Sequence, residues 1–238
     1  MVEEAKRHIS WRRLVAEGGV IVGSILIAFS IDAWWDSRAD AVQERALLVA
    51  LAQDFRTADE RLDAAMQAHQ PVLTSMDRLL RYADAGHVPS LDRAQVDTVL
   101  SRVFWRETFD PPMGTVETIL SSGRLDLFEN GDLVGELTRW TSAVRNFNEL
   151  ETAGTNHFYQ TLYPYLAANL SLRDLDKGIP WEVPWPHSLT PAADLVSDPA
   201  FQNVIYMHYV LYHNVVQAMP ELESAIHRII QMTDQELR

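Results

Sequence analysis

The chain has 238 residues, a formal net charge of −13 and no cysteine. Four basic and two acidic side chains give residues 1–13 a charge of +2, which leaves −15 on residues 14–238. An outer domain this acidic repels phosphate backbones and excludes nucleic acid as a partner, and the missing cysteines exclude disulfides and thiolate metal sites.

One apolar span covers residues 14–35, close to the N-terminus. At about 1.5 Å per residue it would form a helix of roughly 33 Å, the thickness of the hydrocarbon core of a bilayer. Trp11 precedes the span and Trp34 and Trp35 close it, as aromatic anchors do at membrane interfaces. The pattern predicts a transmembrane helix in contact with the lipid bilayer.

Charge predicts the orientation of this helix. Lys6, Arg7, Arg12 and Arg13 precede the span, and basic residues mark the cytoplasmic flank. We therefore expect residues 1–13 in the cytoplasm and residues 36–238 in the periplasm, on a bacterial inner membrane. The alternative is a cleaved signal peptide with a small-residue site at Ala28-Phe29-Ser30, although the helical pattern continues through that site without a break.

The predicted span carries two small or polar faces on opposite sides of the helix. These are Glu17, Ser24, Ala28 and Asp32 on one side, and Gly19, Gly23 and Ser30 on the other. Gly19 and Gly23 have the spacing that lets two membrane helices approach closely. One interpretation is two packing faces for other membrane helices. The other is that both carboxylates reach the headgroups and that the glycines are ordinary in a membrane helix.

An apolar seam with alternating spacings of three and four residues follows the span. Its members are Leu48, Leu51, Phe55, Ala58, Leu62, Ala65, His69, Val72, Met76, Leu79 and Ala83. No glycine or proline interrupts residues 24–70, so the membrane helix should run directly into this one. We expect Pro71 to kink the helix and Gly86 to end it.

Further helices are predicted along the rest of the chain. Ser90 is a candidate N-cap for a short helix to Val103, and a second short helix should cover residues 113–122. A long helix should start beyond Asn130-Gly131, and Asp198-Pro199 should open the last one. The fold class is therefore all-α: one N-terminal transmembrane helix that continues into a bundle of long helices, with two short helices and a Pro/Trp-rich connection.

Residues 17–34, followed by a charged helix, resemble the opening of a bacterial family of single-span membrane proteins of unknown function. Residues 121–125, Ser-Ser-Gly-Arg-Leu, are similar to a later segment of that family. The resemblance implies an N-terminal anchor and a helical outer domain. Because that family has no assigned activity, it implies no functional residues.

His69 and His208 occupy apolar seam positions of two different long helices. Facing histidines in a bundle core can hold a metal or haem, but histidines that merely hydrogen-bond are commoner there. No nucleophile elbow, phosphate loop or His-Glu-x-x-His motif is present. The sequence thus predicts no catalytic residue, no metal, no cofactor and no enzymatic activity.

The connection over residues 172–197 contains Trp181 and Trp185 among prolines. Either these tryptophans close the end of the bundle, or they dock on a partner, since tryptophan dominates interface hot spots.

These features favour a single-pass accessory subunit whose helix and periplasmic bundle pack against integral membrane protein subunits. An energy-converting assembly is one host that would suit such a subunit, and homo-oligomerisation is a further option. The alternative function is a periplasmic sensor or ligand-binding bundle that works through a partner.

Overall fold

The computed structural model describes residues 11–90, 92–104, 107–123, 125–128, 130–172 and 191–238. Within these ranges every regular element is helical and no strand occurs, so the predicted all-α class is confirmed.

The first helix, α1, covers Trp11–Ala85 without interruption. Its 75 residues extend over about 110 Å, so the apolar span and the first bundle helix are one rod, as predicted. The helix continues through Pro71, whose carbonyl accepts a hydrogen bond of 2.8 Å from the Ser75 hydroxyl. It ends at Gly86, where a φ of +68° requires the left-handed conformation that glycine adopts most readily.

Two short helices follow, α2 over Val96–Arg102 and α3 over Gly114–Ser121. The prediction that Ser90 caps the first of them is wrong. A turn based on the Pro89 carbonyl and a 3₁₀ turn over Arg93–Gln95 come before α2, so Ser90 lies too early in the chain. A second 3₁₀ turn covers Leu125–Leu127.

The second long helix, α4, covers Gly131–His157 and is capped by the Asn130 side chain, which accepts from the backbone N–H groups of Asp132 and Leu133. It passes directly into a π-helical segment over Phe158–Leu162 and then into α5, Tyr163–Asn169.

After a short helix α6, Ala192–Leu195, the last long helix α7 covers Pro199–Glu236. Asp198 caps it by accepting from the Ala200 N–H at 2.9 Å, which confirms the predicted Asp-Pro start. Trp181 and Trp185 lie in residues 173–190, outside the described residues.

The long helices bury two apolar cores, one above the other along the bundle. The proximal core lies nearer the N-terminal span and the distal core lies farther from it. The proximal core is formed by residues 48–65 of α1, 133–147 of α4 and 215–229 of α7, with Val116 and Ile119 of α3. The distal core is formed by residues 72–82 of α1, 158–170, 192–196 and 201–212, with α2.

This order gives the direction of each helix. The chain runs from the proximal to the distal core along both α1 and the α4–α5 rod, so these two are parallel. It returns along α7, which packs antiparallel against both. The short helices α2 and α3 carry the chain back from the distal to the proximal core between α1 and α4.

Candidate functional site

A polar layer separates the two cores. His69 of α1 lies between Ala65 and Val72, and His208 and Tyr212 of α7 lie between Ile205 and Val215. His157, the last residue of α4, stacks on His208. We call His69, His157, His208 and Tyr212 the histidine layer. Seam spacing places His69 and His208 in the interior, where an apolar residue would ordinarily stand.

His69 and Tyr212 are joined by a hydrogen bond in this layer. The Nδ1 of His69 lies 2.5 Å from the Tyr212 hydroxyl, and their ring centroids are 4.8 Å apart. His69 is only 2% exposed, and burial lowers its pKa from 6.5 to about 4, so the imidazole is neutral at pH 7. Its Nε2 is buried and has no hydrogen-bond partner within the described part of the chain.

His208 is also buried and is surrounded by aromatic rings. Its ring centroid lies 5.7 Å from that of His157, in a stacked arrangement, and 5.9 Å from those of Phe158 and Tyr212. The Nε2 of His157 lies 3.1 Å from the Val204 carbonyl, a distance at which the ring N–H donates to that oxygen. This contact fixes His157 against α7.

A cavity of about 30 Å³ adjoins the histidine layer. It is lined by His69, Glu107, Thr108, Glu151, Gly154, Thr155, His208, Tyr212 and Val215. The structure thus brings the two predicted core histidines to one cavity. No group of three or more His, Cys, Asp or Glu side chains in the described ranges is arranged to hold a metal ion, and His69 hydrogen-bonds to Tyr212.

Glu151 is the more buried of the two carboxyl groups at this cavity. Burial raises its pKa, the nearby Asp110 carboxylate raises it further, and the backbone N–H of Phe109, which donates at 3.0 Å, opposes both effects. Sequence analysis missed Glu151 because no pattern within α4 distinguishes it from the other carboxylates of that helix. Its role depends on the loop before α3, where the Phe109 N–H donates to it.

Sequence analysis also missed Glu136, which is 4% exposed on α4. Burial alone would raise its pKa, but the hydrogen bonds and charges of Arg139 and Arg228 lower it below its usual value. Arg228 reaches it from α7, with Nε 2.6 Å from the carboxylate. A charged residue at a seam position, three residues after Leu133, was the signal for this cross-helix pair.

The predicted packing residues of the span lie on open helix surface. A Cβ built on Gly19 or Gly23 would meet nothing within 4 Å. Ser24 and Ser30 donate their hydroxyls to the carbonyls of Val20 and Leu26, at 2.8 and 2.7 Å. These serines present small surfaces whose polar groups are already hydrogen-bonded.

The other predicted residues of the span are exposed as well. They are Glu17, Ala28 and Asp32, with the tryptophans Trp11, Trp34 and Trp35. The rings of Trp34 and Trp35 touch edge to face, with centroids 5.4 Å apart. Leu47 is the first residue of α1 that packs against the proximal core, so residues 36–46, which we call the stalk, connect Trp35 to the bundle over about 17 Å of helix.

Among the described helices, α1 is the one that is long and apolar enough to cross a membrane, and no other described residue buries any of its most apolar window. A signal sequence near the N-terminus meets the same criteria of length and composition. Comparisons with family models, curated proteins and solved structures find no match to this chain. The resemblance noted for residues 17–34 therefore stays a prediction.

Proposed function

We propose that this protein is a single-pass, membrane-anchored accessory subunit whose helix and bundle pack against an integral membrane complex. The observation that carries this proposal is the exposure of the N-terminal part of α1. Large apolar side chains between Val15 and Trp35 are exposed, and the described part of the chain buries none of the most apolar window of α1. Exposing such an apolar surface to water costs free energy, so the surface needs lipid or protein around it.

The surface of that helix favours a protein neighbour in addition to lipid. Gly19 and Gly23 leave a flat face, and the hydroxyls of Ser24 and Ser30 are satisfied within the helix. Small side chains whose polar groups are already hydrogen-bonded allow two helix backbones to approach closely. Such close packing is the main source of affinity between helices in a bilayer. A second copy of the chain is the alternative occupant of this face.

The proposed location is the bacterial inner membrane, with residues 1–13 in the cytoplasm and the bundle in the periplasm. A reporter that is active only outside the cytoplasm, fused after Arg238, tests this orientation. We expect activity. A fusion that works only in the cytoplasm would overturn the orientation and the location with it.

Purification in mild detergent, followed by mass spectrometry of co-eluting proteins, tests the accessory role. We expect integral membrane proteins in stoichiometric amounts, and we expect them to be reduced when Gly19 and Gly23 are both replaced by Ile. Gly114→Ile, far from the span, is the control for expression. A chain that elutes alone or only with copies of itself would contradict the accessory role.

The second candidate function is a ligand-binding bundle that acts through a partner. The cavity at the histidine layer is the observation that favours it, because polar side chains from α1, α4 and α7 line it, among them His69, whose buried Nε2 has no hydrogen-bond partner among the described residues.

A further inference from the structure

The cavity beside His69 is rich in hydrogen-bond acceptors. Two carboxyl groups, Glu107 and Glu151, and two hydroxyls, Thr108 and Thr155, line it together with neutral His69. When the Nδ1–H of His69 donates to Tyr212, the Nε2 lone pair becomes a further acceptor. A buried acceptor of this kind costs free energy until a donor reaches it.

The charged side chains at the cavity determine whether a cationic or an anionic ligand suits it. Among the described residues that line it there is neither lysine nor arginine, whereas both carboxyl groups are present. Asp110 adds a third negative charge that acts on Glu151. An anion is therefore disfavoured there, and a cation with N–H donors is complementary to the lining.

The size and geometry of the cavity restrict that cation further. About 30 Å³ holds roughly two water-sized groups. The carboxylates and imidazoles do not converge as metal ligands would in the described part of the chain. An ammonium group is close to water in size and binds acceptors at hydrogen-bond distances, so it suits acceptors that are spread around a small volume.

A larger groove of about 450 Å³ shares Glu107 with the small cavity. It lies between α1 and α2, and its other lining residues are Ala68, Pro71, Val72, Thr98, Ser101 and Arg102. The apolar side chains on its α1 wall suit a short alkyl chain. Arg102 repels a cationic head from the groove and so favours its placement in the inner cavity.

We propose that the cavity beside His69 binds an ammonium group, carried by a small primary amine or by the ammonium ion itself. Glu151 and His69 Nε2 accept its N–H groups, Thr155 completes the shell, and any alkyl chain lies in the groove beyond Glu107. This inference goes beyond the accessory role and does not require α1 to cross a membrane.

The test is thermal unfolding of the full chain in detergent at pH 7 and constant ionic strength. The probes are ammonium, methylammonium and butylammonium chloride, with tetramethylammonium and sodium chloride as controls of equal charge without N–H donors. We expect the midpoint to rise by about 3 °C at ten times the dissociation constant for the N–H probes alone. A stronger effect of butylammonium would identify a primary amine as the ligand, and equal effects would identify the free ion.

Variants connect the effect to the cavity. Glu151→Gln should abolish the rise in the midpoint, whereas Glu149→Gln, on exposed surface of the same helix, should retain it. If Glu151→Gln does not fold, Thr155→Val removes a cavity hydroxyl at nearly constant volume and should weaken binding at least several-fold. The ¹⁵N chemical shift of His69 Nε2 should move on addition of the amine. An equal rise with tetramethylammonium, no rise with any N–H probe, or a full response in Glu151→Gln would overturn the proposal.

Discussion

His69 of α1 and Tyr212 of α7 are joined by a hydrogen bond of 2.5 Å at the level where the apolar core of the bundle is interrupted. The pair connects the two helices that pack most extensively against each other in the described part of the chain. It also determines which imidazole nitrogen of His69 has a protein partner. The histidine layer is therefore a place where stability and ligand recognition depend on the same few side chains.

Tyr212→Phe should lower the stability of the bundle. The substitution removes the hydroxyl that is hydrogen-bonded to His69 Nδ1. The buried imidazole then has neither nitrogen hydrogen-bonded to a described residue, which costs about 1–3 kcal/mol. Unfolding of the full chain in detergent, followed by circular dichroism, measures the change. Tyr206→Phe is the matched control, because Tyr206 is 58% exposed on the same helix and should unfold like the wild type. Equal midpoints for the two variants would contradict a structural role for the bond.

Stability should also fall on acidification because of His69. Its folded pKa of about 4 lies below its ordinary value of 6.5, so between these values the unfolded chain binds a proton that the folded chain does not. The free energy of unfolding therefore falls by up to about 3 kcal/mol as the pH falls from 6.5 to 4. Below pH 4 the contribution of His69 to this free energy no longer changes with pH.

His69→Gln isolates that effect. Groups common to both proteins cancel when the free energies of unfolding of wild type and variant are subtracted at each pH. We expect the difference between them to shrink from pH 7 to pH 4, as the wild type loses stability faster. Parallel curves across this range would show that His69 is not held neutral by burial.

Gly86→Ala should destabilise the chain by about 1 kcal/mol, since its φ of +68° is strained for any residue with a Cβ. Gly114→Ala is the control, because Gly114 has no positive φ and a Cβ there would meet nothing within 4 Å. Thermal midpoints of the two variants decide the matter, and a loss at Gly114 as large as that at Gly86 would contradict the argument.

Gly19→Ile together with Gly23→Ile should weaken association of the chain in membranes while leaving insertion intact. A branched side chain at either position separates the backbones that the flat face would bring together. Recovery of the complex after detergent extraction, with membrane fractionation as the check on insertion, measures the outcome. Unchanged recovery would identify this face as ordinary lipid-facing surface.

The sequence was sufficient for the class of fold, the uninterrupted first helix and the caps at Gly86 and Asp198, because apolar spacing and capping act locally. The sequence contains a pattern that indicates the π-helical segment, although the segment was not predicted. Gly154, Phe158, Leu162, Leu166 and Leu170 are all buried at successive spacings of four residues. A regular helix with 3.6 residues per turn cannot keep such a run on one face, and the wider turn over Phe158–Leu162 restores it.

The histidine layer could be predicted only in part. Seam positions identified His69 and His208, but the partners Tyr212, His157 and Glu151 follow from the relative height of three helices, which spacing within one helix does not determine. The antiparallel return of α7 brings His208 to the level of His69. No local pattern encodes that offset.

The continuous rod of α1 also fixes a rotational phase between the span and the bundle. Each residue of a helix turns by about 100°, and no glycine or proline between residues 24 and 70 lets the rod swivel. One residue inserted in the stalk would turn the bundle by about 100° while lifting it only about 1.5 Å. Seven would lift it by about 10 Å and nearly restore its heading. The stalk therefore sets the direction in which the bundle faces its neighbours as well as its height above the span.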